Sequence, residues 1–152
     1  MIQKVDQLFG VLLWSSLIEA AASIGYVKAQ ADAGHLYRRG VGVEKDFSKA
    51  LTYYQKAAAQ GHTESMLGAA FLYQFGGPGL TQDDVWAVQW FEQAALAGHS
   101  RGQLRLAAKL YNGEGVVADP VKAYAWLILA QSGESAEAKR DLEAVAERLS
   151  DA

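Results

Sequence analysis

The feature that most constrains this chain is a register that returns every 36 or 37 residues. Gly40 recurs at Gly76 and Gly113, Ala50 at Ala87 and Ala123, and Tyr53 at Trp90 and Trp126. Ala57 recurs at Ala94 and Ala130, and Gly61 at Gly98 and, after a shorter step, Gly133. A period of this size marks an array of supersecondary units, each too small to bury its own apolar face. Within each unit two stretches carry apolar or small residues at three- and four-residue spacing, the pattern of a helix with one buried face. In the first unit these are about 28–39 (helix A; Ala29, Ala33, Tyr37) and 48–60 (helix B; Ala50, Tyr53, Tyr54, Ala57). The second unit repeats them with Ser65, Ala69 and Tyr73, then Ala87, Trp90, Phe91 and Ala94; the third with Gly102, Leu106 and Leu110, then Ala123, Trp126, Leu127 and Ala130. Alanine runs and only two prolines, Pro78 and Pro120, favour helices, and no segment reads as a strand.

Packing assigns each recurring position a task. Small residues such as Ala57, Ala94 and Ala130 let helices approach closely, and Tyr53, Trp90 and Trp126 are expected to fill the space towards the neighbouring unit. Gly40, Gly42, Gly113 and Gly115 fall where helix A must stop and the chain turn back, positions suited to a left-handed backbone. Asp46, Asp83 and Asp119 stand just before helix B, where a carboxylate can accept free backbone N–H groups. Pro120 then takes the first helical position.

These residues resemble the Sel1-like repeat, a relative of the tetratricopeptide repeat. The first unit carries Ala29-Gln30, Ala33-Gly34, Tyr37, Gly40-Val41-Gly42-Val43, Asp46, Lys49-Ala50, Tyr53, Lys56-Ala57-Ala58 and Gly61. The third matches through Gly113-Glu114-Gly115-Val116, Asp119, Lys122-Ala123, Trp126 and Gly133. The second departs in its loop, Phe75-Gly76-Gly77-Pro78-Gly79-Leu80, and gains one residue. The resemblance implies an all-α fold: a right-handed α-α superhelix (solenoid) of about three helix-turn-helix repeats with capping helices at both ends. It divides the single domain 1–152 into an N-terminal cap or degenerate repeat (1–27), repeats at 28–62, 63–99 and 100–133, and a C-terminal capping helix (134–152). Leu17, Ile18, Ala21, Ala22 and Gly25 stand 36 residues before Tyr53, Tyr54, Ala57, Ala58 and Gly61, so the first helix reads as a degenerate helix B. Ala138, Leu142, Val145 and Leu149 give the last one an apolar face, as a terminal cap requires.

Composition narrows the function. A formal charge of −3 offers no footprint for wrapping nucleic acid, and the lack of cysteine removes disulfides, thiolate metal sites and thiol nucleophiles. Leu8 to Ile18 is apolar, follows Lys4 and precedes Ala20-Ala21-Ala22, an outline of an export signal. Asp6 in the leader and Ser15 and Ser16 in the run oppose that, and ~11 apolar residues cannot span a bilayer. The expectation is a packed helix and a cytoplasmic protein with no membrane span, with a periplasmic or secreted protein as the alternative.

Catalytic patterns are weak. Gly98-His99-Ser100-Arg101-Gly102 has the letters of the nucleophile elbow, but that motif needs a strand entering its turn, and here helix B of one unit leads into helix A of the next. His62 and His99, beside the repeat-ending glycines, read as turn residues rather than metal ligands, since no HxxxH or HExxH spacing accompanies them. Asp83-Asp84 and Glu114 read as loop carboxylates with capping the commoner role, and no Lys-Ser or Lys-Thr follows Gly76-Gly77-Pro78-Gly79 to make a phosphate loop. No catalytic residue, cofactor or metal is therefore assigned.

In the family this chain resembles, A helices line the concave face that solenoids use for binding. Here they carry Arg38, Arg39, Arg101, Arg105 and Lys109 against Asp32 and Glu64. The expected site joins His35, Arg38, Arg39, Arg105 and Lys109 with Phe75 and Tyr111 as anchors, for a protein or peptide with an acidic surface. The resemblance thus implies a non-catalytic interaction scaffold or adaptor in a bacterium. The competing readings are a dedicated neutralising partner of a secreted toxin and a serine hydrolase built on Ser100.

Overall fold

A computed structural model describes residues 2–131, with side chains from Gly10 onward; the C-terminal cap expected over 134–152 and Gly133 lie outside the described residues. The described residues form seven helices: α1 (Ile2–Ser23), α2 (Val27–Arg39), α3 (Phe47–Ala59), α4 (Thr63–Phe75), α5 (Asp84–Leu96), α6 (Ser100–Asn112) and α7 (Pro120–Gln131). Among them there is no strand, only an isolated backbone pairing of Gly77 with Leu80. The expected helices A and B are α2 and α3, α4 and α5, and α6 and α7, with ends displaced by a single residue in the first repeat.

The chain divides into two compact units, Met1–Gln82 and Asp83–Ala152. In the first, α2 packs on α1 and α3, and α3 on α4; in the second, α6 packs on α5 and α7. The small column of helix B lies at the centre of this packing: Ala50, Ala57, Ala87, Ala94, Ala123 and Ala130 are fully enclosed. The expectation for Tyr53, Trp90 and Trp126 needs adjusting by one residue. All three are half-buried, and the enclosed column is Tyr54, Phe91 and Leu127. One residue is about 100° of rotation at 3.6 residues per turn. The stripe Ala50, Tyr54, Ala57 therefore faces inward, while Tyr53 lies at its edge, stacked on Tyr37 at 5.7 Å.

Close approach in the first unit depends on two glycines. A Cβ at Gly34 of α2 would lie 2.5 Å from the Tyr54 ring, and one at Gly68 of α4 would lie 3.0 Å from it. The ring fits between two helices because neither carries a side chain there.

The helix ends follow from the sequence. Asp46, Asp83 and Asp119 each accept a hydrogen bond from the backbone N–H three residues on, at 2.9, 3.0 and 2.9 Å. Gly40 and Gly113 close α2 and α6 in the left-handed conformation, at φ 73° in both. In these two repeats the loop then returns, with Asp46 N–H bonded to Tyr37 O and Asp119 N–H to Leu110 O. The divergent second loop has another solution. Gly77 and Leu80 exchange both backbone hydrogen bonds around Pro78 and Gly79, whose φ is +78°, the residue placement of a type II turn.

Each loop also reaches back to an earlier helix of its own unit. A Cβ at Gly42 would lie 2.9 Å from Val11 of α1, and Ser15 Oγ donates to Gly42 O. Gly77 lies against the Phe47 ring, and Phe47 N–H donates to Pro78 O at 2.7 Å. A Cβ at Gly115 would fall 2.3 Å from Asp84 O. The second glycine of the GxG loop is thus required twice, for its positive φ and for contact with an earlier helix, the middle of α1 for Gly42 and the start of α5 for Gly115.

Candidate functional site

The sequence-derived contact residues separate into those near the surface and one that is interior. In the first unit, Tyr54 is enclosed, yet its hydroxyl reaches the rim of α2. Arg38 Nε donates to Tyr54 Oη at 3.3 Å, and the phenol proton is left to face His35 Nδ1 at 2.9 Å. This arrangement uses neutral His35 as an acceptor. Burial, joined by the positive charge of Arg38, pulls the His35 pKa below its ordinary 6.5; burial raises that of Tyr54. Arg39 is exposed one residue beyond, and Asp32 and Glu64 supply the opposing charge near His35.

Thirty-six residues on, His35 and Arg39 correspond to Phe71 and Phe75 of α4. The two phenyl rings stack at 6.1 Å, and Phe75 is 70% exposed, unusual for a side chain of that size. The A-helix surface of the first unit therefore sets a polar row, neutral His35 with the cations Arg38 and Arg39, in register with an apolar row, Phe71 and Phe75. In the second unit, Tyr111 and Arg105 are half-buried on α6.

Lys109 corrects the sequence reading. It was expected as a cationic contact for a partner, but its side chain is only 6% exposed, and Nζ lies 2.8 Å from Asp84 Oδ1 and 2.8 Å from Glu114 Oε2. Both carboxylates are thereby engaged as well. Desolvation works to lower the Lys109 pKa, but the hydrogen bonds that its ammonium donates to Asp84 and Glu114 outweigh it and leave the value raised. The same contact lowers that of Glu114. The register contained the signal: Lys109 shares its column with Leu36 and Leu72, an inward-facing position.

The remaining candidates have local roles. His62 caps α4, its Nδ1 accepting from Ser65 N–H and facing Ser65 Oγ at 2.9 Å. His99 is the N-cap residue of α6. Gly98, at φ +82°, closes the previous turn, and Ser100 opens α6 after the N-cap His99, so the strand that a nucleophile elbow requires is not there. Among the described residues no cluster of three His, Asp or Glu is placed to hold a metal ion, and no helix is long and apolar enough to cross a membrane. Sequence reasoning missed the buried amides: Gln30 Nε2 donates to Ala22 O, and Gln103 Nε2 to Ala95 O, both at 3.3 Å. Equivalent residues of the first and third repeats thus satisfy carbonyls at the end of the preceding helix.

Comparison with known proteins agrees with this architecture. The family model described as Sel1 repeat matches three consecutive segments, 27–62, 63–99 and 100–130. Among curated proteins, the chain is 32% identical over 129 residues to chitin synthase regulatory factor 3 of Schizosaccharomyces pombe, covering 84% of this chain and 14% of that protein. It is 34% identical over 108 residues to the chitin synthase regulator SKT5 of Saccharomyces cerevisiae, covering 70% of this chain and 15% of that protein. The chain therefore spans about one seventh of these relatives. Among solved structures, a protective antigen of uropathogenic Escherichia coli displaying an SLR fold superposes with a TM-score of 0.86 at 28% identity, over 91% of this chain and 29% of that one. A Sel1 repeat protein from Oxalobacter formigenes gives 0.78 at 28% identity, over 86% of this chain and 53% of that one. The cysteine-rich protein B of Helicobacter pylori, at 23% identity and a TM-score of 0.67 over 84% of this chain and 96% of that one, shares the fold. These proteins come from yeasts and bacteria alike, so the expected bacterial source does not follow from them.

Proposed function

Because the chain belongs to the Sel1 repeat family, we propose that it is a non-catalytic scaffold that binds a protein or peptide and works by regulation. The regulator names of the two yeast relatives support the second part of this reading. The observation that carries it is the A-helix surface of the first unit, where exposed Arg39 and the His35–Arg38 pair stand in register with an exposed Phe75. Such a surface suits a segment that is acidic along one edge and apolar along the other. Aromatic anchors supply most of the affinity in interfaces of this kind, and rim charges mainly speed association. Arg105 and Tyr111 of the second unit form a separate contact set in this reading.

The test is capture of the natural partner with the full chain, followed by identification and titration. Arg39→Glu combined with Phe75→Ala is the informative variant, because both side chains are exposed, whereas Arg38 also supports Tyr54. Affinity should fall about tenfold or more. Unchanged affinity in a folded variant would dispose of this surface, and the same measurement on Arg105→Glu judges the second set.

A further inference from the structure

Leu36, Arg39 and Val41 of the first repeat correspond to Lys109, Asn112 and Glu114 of the third. The three replacements meet in space. Lys109 Nζ lies 2.8 Å from Glu114 Oε2, and Asn112 Nδ2 donates to Glu114 Oε1 at 3.1 Å, so one carboxylate joins the lysine to the amide. Asn112 is the only asparagine in the chain; it lies exposed at the last position of α6 and precedes Gly113, the C-cap residue. Glycine has no side chain to hinder the approach of its own backbone nitrogen to a neighbouring group. An asparagine just before it is therefore the residue best placed to close a cyclic imide through its side-chain amide. The folded cap opposes that closure in two ways. Gly113 N–H is donated to Lys109 O at 2.9 Å, and the Asn112 amide is tied to Glu114. Both ties must part before the Gly113 nitrogen can reach Asn112 Cγ, so the chemistry waits on local opening at the end of α6.

We propose that Asn112 is a deamidation site of this protein, with the Lys109–Glu114 pair as the latch that sets its rate. In the open cap, Gly113 N gives up its proton to solvent base and bonds to Asn112 Cγ. The Cγ–Nδ2 bond breaks, and ammonia leaves with a proton taken from solvent. Water then adds to the imide. Opening at Cγ yields aspartate, and opening at the main-chain carbonyl yields isoaspartate, in which the backbone runs through Cβ and Cγ. The net change consumes one water and releases one ammonia. Either product sets a new carboxylate beside Glu114 and at the negative end of the α6 dipole, where an anion is unfavourable. Isoaspartate also lengthens the main chain where the loop turns back to seat Gly115 on Asp84. Conversion thus loosens the hold of the third-repeat loop on α5. None of this involves the α2–α4 surface of the proposed function.

The test incubates the full chain in mildly alkaline buffer, folded and in urea, and follows residue 112 by peptide mapping and by enzymatic methylation of isoaspartate. Both products are expected in both states, forming about tenfold or more slowly in the folded chain. Lys109→Met should raise the folded-state rate about tenfold and leave the rate in urea unchanged. Glu114→Val, which restores the residue type of the first repeat, should do the same and serves if Lys109→Met fails to fold by circular dichroism. Asn112→Arg, again the first-repeat residue, should be inert. A folded chain that stays intact while the urea-unfolded chain converts would overturn the site. Equal folded-state rates in the parent and either folded variant would overturn the latch. Converted protein should melt below the parent, and an unchanged midpoint would overturn the loosening of the loop.

Discussion

The buried ammonium of Lys109 allows a quantitative test of how the second unit is held together. Two variants remove the same contacts from opposite sides: Lys109→Met deletes the cation, and Asp84→Asn with Glu114→Gln deletes both anions. Their costs should differ because the partners differ in exposure. The Lys109 side chain is 6% exposed, whereas those of Asp84 and Glu114 are 37% and 50% exposed. With the cation gone, the carboxylates turn to water, and the loss is that of charged hydrogen bonds partly replaced by hydration, about 1–2 kcal/mol. With the anions neutralised, the ammonium stays in a site that water scarcely reaches, and a stranded buried charge costs about 3–5 kcal/mol. For a chain of this length 1 kcal/mol moves the melting midpoint by roughly 2–4 °C. Circular dichroism melts at pH 7 should therefore rank parent, Lys109→Met and the double variant in that order. The double variant should also regain stability as pH rises towards 10, because its unpartnered lysine then sheds the proton. A Lys109→Met midpoint as low as that of the double variant, or a double variant indifferent to alkaline pH, would refute the reasoning.

Gly34→Ala should destabilise the first unit by about 1–3 kcal/mol, since its Cβ would meet the enclosed Tyr54 ring at 2.5 Å; urea titration checks this, and a stabilised protein would contradict it. Acidification should lower the urea midpoint in two steps. His35 has a lowered folded pKa, so the unfolded chain takes the proton first, and stability falls from about pH 6.5 down to that lowered value. Glu114 also has a lowered folded pKa, so its contribution is complete above 4.5 and is lost as pH falls through the depressed value. His35→Gln should remove the upper step and Glu114→Gln the lower one.

The fold was legible because the repeat states each rule several times. Asp46, Asp83 and Asp119 cap their helices as their place before helix B implies, and Gly40 and Gly113 end theirs as expected. Spacing alone does not fix rotation about a helix to within one residue, which is why Tyr53 read as interior when Tyr54 is the enclosed side chain. The candidate surface was less legible. Residue type marked Lys109 as a contact, although its fate depends on Asp84, 25 residues away in sequence. Arg38 read as a free cation, and its bond to Tyr54 depends on a phenol passing between glycines of two helices. Such pairings arise from packing, and the pattern of one element does not contain them.

The backward reach of the glycine loops bears on how an array like this can be edited. Gly42 rests on α1, Pro78 on the start of α3, and Gly115 on the start of α5. A hairpin excised at the boundaries of the sequence repeat would take its clasp away from its neighbour and leave an earlier helix unfastened. An engineer adding or removing repeats should therefore cut after the glycine loop, just before helix B, so that every retained helix B keeps the loop that latches it.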